Sequence, residues 1–147
     1  MKLMDVLDAK GRDVVAVDPG ISVREAVRTL VGHNIGAVAV VDREGKLVGI
    51  FSERDVLRLS DAGGERNFSA MRISEHMSSE LITAECQTAV EEALAVMIEH
   101  HIRHLPVVIK GKLQGMVSQG DLVKAMLEDA RHETRQLTNF VQGKYPA

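Results

Sequence analysis

Apolar and polar positions along the chain spell out one series of elements twice. In the first series Val14-Val15-Ala16-Val17 is a short β-type run, broken by Asp18-Pro19-Gly20. Ser22 with Glu25 three residues on forms a capping box, so a helix is predicted to start there. Val23, Ala26, Val27, Leu30 and Val31 fall at helical spacing as its buried stripe, and Gly32-His33-Asn34 ends it. Ala37-Val38-Ala39-Val40-Val41 has no polar alternation and suits a strand covered on both faces. Asp42 to Gly45 carries hairpin-turn chemistry. Leu47 to Phe51 is the returning strand, and Ser52 to Leu59 a second helix. Ser60 to Ala70, with Gly63-Gly64, has the composition of a linker.

The pattern then restarts. Leu81-Ile82-Thr83-Ala84 is a predicted strand, and Thr88 with Glu91 a second capping box. Val90, Ala93, Leu94, Met97 and Ile98 form the second helical stripe. Leu105 to Ile109 and Leu113 to Val117 form the second strand pair. Matching Ala26 with Ala93 gives an offset of 93 − 26 = 67; matching Asp55 with Asp121 gives 66, one residue being lost in the hairpin turn. Under this alignment Val23/Val90, Glu25/Glu92, His33/His100, Val40/Val107, Gly49/Gly115 and Ser52/Ser118 all coincide. The chain is therefore an internal β-α-β-β-α duplication of class α+β. One such unit has a sheet face it cannot cover alone, whereas two related by a pseudo-twofold axis can pack sheet against sheet, flanked by helices.

Two segments lie outside the duplication. Residues 1–8 form a short helical lead. Asp121 to Val141 has no helix breaker, and Leu122, Met126, Ala130, Leu137 and Val141 lie at wide helical spacing, a sparse stripe suited to a partner subunit. Gly143 would stop this long helix, with Tyr145-Pro146-Ala147 as a tail. The expected division is 9–65 for the first repeat, 74–130 for the second and 131–147 for the helical extension and tail.

Composition narrows the function. The 147 residues are 45% apolar and 27% charged, ordinary for a soluble domain with a sizeable core. The formal charge of −3 and the scarcity of aromatics (Phe51, Phe68, Phe140, Tyr145) argue against nucleic acid as a partner. The longest apolar run, Ile35 to Val41, is too short to span a bilayer. Asp5 precedes any apolar signal segment, which argues against secretion. One cysteine, Cys86, excludes an internal disulfide, fits a reducing cytoplasm and has no C-x-x-C mate for redox work.

Candidate chemistry sits where strand meets helix. Gly49-Ile50-Phe51-Ser52-Glu53-Arg54-Asp55 and Gly115-Met116-Val117-Ser118-Gln119-Gly120-Asp121 each run a short apolar strand into Ser-x-x-Asp. Free N–H groups at a helix start, beside a hydroxyl and a carboxylate, make a seat for an anionic ligand with hydroxyls. Helix capping explains the same residues locally; the two roles are compatible. His100-His101-Ile102-Arg103-His104 invites a metal reading, but Pro106 pulls the segment toward a strand and no carboxylate or cysteine completes a ligand set. Surface ion pairs and a helix-end histidine are the plainer account. No phosphate-loop, nucleophile-elbow or paired-carboxylate motif supports catalysis.

The duplicated pattern resembles a tandem pair of cystathionine-β-synthase-type (CBS) domains, the Bateman module. The capped helix, Ile102-Arg103-His104-Leu105-Pro106-Val107-Val108 and the two Gly-x-x-Ser-x-x-Asp runs carry the resemblance, which covers about residues 2 to 127 and makes the chain look like a stand-alone module. The resemblance implies a regulatory protein binding adenosine-containing ligands between the repeats, AMP foremost, with ADP, ATP or NAD as alternatives, and commonly a homodimer. It implies that Asp55 and Asp121 accept both ribose hydroxyls, that Ser52 and Ser118 face phosphate, and that Arg103 and His104 present cationic or donor groups to it. Arg54, Gln119, Pro106 and Val107 lie in the same motifs. Adenine would rest on Val15, Val17 and Val40 in one cleft and on Ile82, Ala84 and Val107 in the other, positions that plain core packing explains equally. Gly36-Ala37 stand where Arg103-His104 stand, and Gly120 where Arg54 stands, so the two clefts differ. The favoured one joins Asp121 with Arg103 and His104. The expected function is a non-enzymatic nucleotide sensor signalling to an unknown downstream protein, the long C-terminal helix acting as its output lever. A structural oligomerisation module with vestigial pockets and a weak nucleotide hydrolase are the rivals.

Overall fold

The structure, a computed structural model, describes residues 1–141; of Phe140 only the backbone is described. Gly143 and the tail Tyr145-Pro146-Ala147 lie outside the described residues. Helix α1 (Leu3–Lys10) leads into β1 (Ala16–Val17), α2 (Val23–His33), β2 (Ala37–Val41), β3 (Leu47–Ser52) and α3 (Glu53–Asp61). Short 3-10 turns at Glu65–Asn67 and Ile73–Glu75 follow. The second half comprises α4 (Val90–Glu99), β4 (His104–Ile109), β5 (Lys112–Ser118) and α5 (Gln119–Val141).

The first sheet has the order β1-β2-β3, β1 parallel to β2 and β2 antiparallel to β3. As the apolar run required, Ala37 to Val40 are buried on both faces. Among the described residues the second sheet holds β4 and β5. The predicted strand Leu81 to Ala84 is reduced to one bridge, Ala84 to Val107. That bridge is the counterpart of Val17 to Val40 at the offset of 67. Its neighbour is missing for a covalent reason. In the first sheet Ala39 N–H donates to Val15 O at 3.2 Å; Pro106 stands at the position of Ala39 and has no N–H to give to Ile82.

Both helical stripes shift slightly from expectation. Ser22 Oγ accepts from Glu25 N–H at 3.1 Å, a true N-cap. The second capping box does not form. Ala89 occupies the N-cap position, the counterpart of Ser22, and Thr88 Oγ1 instead accepts from Glu85 N–H. Val31 and Ile98, one residue past each buried stripe and again 67 apart, are 74% and 60% exposed. The expected linker is a tied segment: Arg24 N–H donates to Phe68 O, Val23 N–H to Met71 O, and Phe68 is buried.

The described residues form two apolar cores, and each draws on a segment from outside its own repeat. Val23, Leu30, Val38, Val40 and Phe51 pack with Phe68 and Ile73. Val90, Met97, Leu105, Val107, Val117 and Leu122 pack with Leu3, Val6 and Leu7 of α1. The two lead segments correspond at an offset of 70. Lys2 bridges Ala89 as Arg72 bridges Ser22, and Leu7 fills the space over Gly115 as Met77 fills that over Gly49. Between the sheets, Leu47 N–H donates to Gly111 O at 3.1 Å where the two hairpins meet. Among its described side chains, α5 is covered through Leu122 and Met126, and is exposed from Leu127 to Thr138.

Candidate functional site

Strand β3 passes into α3 with no residue between, so the last strand residue, Ser52, is also the cap of the helix. Extended at φ −125° and ψ 168°, it turns its N–H inward, where the N–H donates to Asp55 Oδ2 at 2.8 Å and its hydroxyl does so at 3.2 Å. Asp55 is only 3% exposed. Its other oxygen, Oδ1, meets the exposed Arg58 guanidinium at 3.4 Å. A charged carboxylate held this deep by donors on one oxygen is fixed in place and keeps acceptor capacity on the other.

Asp55 stands in the wall of a cleft of about 450 Å³. Helix α3 with its cap supplies Ser52, Arg54 and Arg58, the chain entering the second half supplies Glu80, Leu81 and Ile82, and the end of the α4–β4 connection with the first residue of β4 supplies Arg103 and His104. The last is brought in by a left-handed residue at the α4 end: His101 has φ 54°, as Asn34 has φ 52° after α2. Three arginines thus face a cleft that also holds Glu53, Glu80 and Asp55. Burial pushes the His104 imidazole below its ordinary value of 6.5; the nearby carboxylates of Glu53 and Asp121 oppose this, and the cations Lys10 and Arg103 reinforce it. His104 is therefore a neutral hydrogen-bonding group near neutral pH, a donor rather than a standing cation.

The cleft joins Ser52, Arg54, Asp55, Ile82, Arg103 and His104 of the residues singled out in the sequence. Arg103 and His104 line this cleft together with Asp55, while His104 also stands opposite Ser118 in the β4–β5 pair and is near enough to feel the Asp121 carboxylate. Val40 and Val107 are fully buried core residues, Pro106 is buried within β4, and Val15, Val17 and Ala84 pack half-buried against the cores. Gln119 is taken up locally, its N–H bonding Arg103 O and its amide Ile102 O at 2.8 Å. Arg58 and Glu80 escaped the sequence reading. Arg58 lies one helical turn beyond Asp55, a spacing that could have pointed to it. Glu80 lies outside the repeat alignment.

The second Ser-x-x-Asp is built alike but sits differently. Ser118 N–H donates to Asp121 Oδ2 at 2.8 Å, and Asp121 N–H to Ser118 Oγ at 3.0 Å. The Lys10 ammonium also reaches Asp121 Oδ2, at 2.6 Å, and bonds Met116 O at 2.9 Å. Partial burial works to raise the Asp121 carboxyl, but the Lys10 hydrogen bond and the Ser118 N–H outweigh it and hold the group below its ordinary value. Asp121 and Lys10 border a groove of about 330 Å³ between α1 and α5, which takes in neither Arg103 nor His104. Among the described residues no group of three or more His, Cys, Asp or Glu is placed to hold a metal ion, and no helix is long and apolar enough to cross a membrane.

The family model of the CBS domain matches twice, at residues 6–62 and 73–128. The chain is 34% identical over 151 residues to the CBS domain-containing protein CBSX3, mitochondrial, of Arabidopsis thaliana, covering 97% of this chain and 73% of that one. A relative so named means that family membership fixes no cellular compartment. The crystal structure of the CBS-domain containing protein ATU1752 from Agrobacterium tumefaciens aligns with a TM-score of 0.80 at 37% identity, over 86% of this chain and 99% of that one. The structure of CBSX2 in complex with AMP aligns with a TM-score of 0.75 at 26% identity, over 88% and 98%. Matched twice over most of its length, and folded like these structures, the chain belongs to the CBS-domain family as a tandem pair.

Proposed function

We propose that the protein is a non-enzymatic regulatory module that binds an adenosine-containing ligand in the Asp55 cleft, AMP first among the candidates. The observation that carries this reading is the buried Asp55 carboxylate, locked by Ser52 on one oxygen, in a cleft faced by Arg54, Arg58 and Arg103. Asp55 would take the ribose hydroxyls through Oδ1. The arginines, with His104 as a donor, would take the phosphate, and Leu81 with Ile82 would offer an apolar face to adenine. The AMP complex of the similar CBSX2 supports the ligand class.

A ligand touching α3, the entry to the second half and the start of β4 joins both repeats, and shifts the module by its differential affinity for their arrangements. Helix α5 is the output lever in this reading. A second copy would cover the matched exposed pairs Val31 with Ile98 and Leu57 with Val123, together with Leu127, forming a homodimer. The single cysteine suits a reducing compartment, the cytoplasm first, which cell fractionation decides.

Thermal-shift titration with AMP, ADP, ATP, NAD and adenosine tests the reading. Ligand at 100 times Kd adds about 2.7 kcal/mol of stability. The wild type should respond to AMP, Asp55→Ala should lose the response, and a chain ending at Leu127 should bind while changing its sedimentation. A silent panel would leave a structural oligomerisation module, the rival that the Lys10 contact at Asp121 favours. Turnover of ATP or NAD lost in Asp55→Ala would instead reveal an enzyme.

A further inference from the structure

We propose that Lys10 is a built-in occupant of the second seat, so that the protein takes one ligand per chain although its sequence carries two Ser-x-x-Asp seats. The inference rests on the reading of Asp55 as a ribose-binding group and carries it to the other half. The two lead segments correspond at an offset of 70, fixed by Lys2 with Arg72, and by Leu7 over Gly115 with Met77 over Gly49. Under that offset Lys10 is the counterpart of Glu80, since 80 − 10 = 70. The first lead ends as a helix, and its last residue, Lys10, puts its ammonium on Asp121 Oδ2 and on Met116 O.

The second lead runs extended at the same place. Ser78 N–H bonds Ile50 O at 2.9 Å, so the carbonyl equivalent to that of Met116 is satisfied by backbone. Glu80 then lines the open cleft. A carboxylate there cannot occupy the Asp55 seat, whereas an ammonium binds Asp121 and takes the place of a ligand. Leu3 and Leu7 are fully buried beneath α1, so the helix backbone that carries Lys10 is anchored beside the seat. A ligand for Asp121 has to displace a charge-assisted hydrogen bond that is already made.

Calorimetric titration with AMP of the wild type, Lys10→Met and Lys10→Met/Asp121→Ala tests this. The wild type should bind one AMP per chain. Lys10→Met should gain a second binding event, at least about tenfold tighter than any second event in the wild type, and the double variant should lose it. Two equal events in the wild type, or a Lys10→Met titration identical to it, would overturn the proposal. If none of the three proteins binds AMP, AMP as the ligand of the proposed function fails on its own account. Lys10 is then judged without ligand, by following the Asp121 carboxyl by NMR. An upward move of its titration in Lys10→Met supports the occupied seat; an unchanged titration overturns it.

Discussion

His104 shows how far one residue's chemistry depends on what surrounds it. In the sequence it belongs to a histidine-rich run and looks like a cation for phosphate. In the fold, burial keeps it neutral. Its folded value lies below 6.5, so between that value and 6.5 the unfolded chain binds more protons than the folded one. Stability therefore rises with pH through this window and falls as pH drops below 6.5. The loss in melting temperature between about pH 7.5 and about pH 5.5 should be smaller in His104→Gln than in the wild type. An equal loss in both would show that His104 titrates as an ordinary surface imidazole. Asp55 and Asp121 teach the same lesson: they share a motif and a backbone hydrogen bond, and differ in burial and in the cation each meets. The motif was legible; the partners were not, because Lys10 and Arg58 reach the two carboxylates along different routes.

Elements differ between the repeats where a single residue changes what the backbone can do. Pro106 removes one donor, and a two-residue strand shrinks to a bridge. The matched glycines of β3 and β5 are required by close approach. A Cβ on Gly115 would stand 2.7 Å from Leu7 Cδ2, inside contact distance of a fully buried side chain. A Cβ on Gly49 would meet Met77, which is half-buried and has a flexible thioether. Gly115→Ala should then lower stability by about 1–3 kcal/mol, and Gly49→Ala by less. Adding Leu7→Ala to Gly115→Ala should cost less than the sum of the two single changes, because the vacated volume receives the new methyl. Chemical denaturation of the four variants measures all of this; strict additivity would mean that Leu7 and Gly115 do not share the space.

At the scale of the molecule, the two repeats depend on segments beyond their own boundaries. Removing residues 1–10 strips Leu3, Val6 and Leu7 from the core of the second repeat. At roughly 1.5–3 kcal/mol for each buried side chain, the loss rivals the whole stability of a small domain. A chain starting at Gly11 should have a much lower unfolding midpoint, with the loss concentrated in amide protection of α4, β4 and β5. Unchanged protection there would show that α1 is an accessory. The sequence by itself determined the main helices, the two hairpins, the duplication and the two Ser-x-x-Asp turns, though not the strand expected at Leu81 to Ala84, because periodicity, turn residues and capping act over a few neighbouring residues and repeat where the sequence repeats. The tertiary structure alone decided that α1 serves the second repeat, that Arg103 and His104 line the Asp55 cleft, and that Lys10 sits on Asp121. Those pairings join residues some fifty to over one hundred positions apart, and local patterns of hydrophobicity carry no information about which distant segment a burial-driven fold will bring against a given charge.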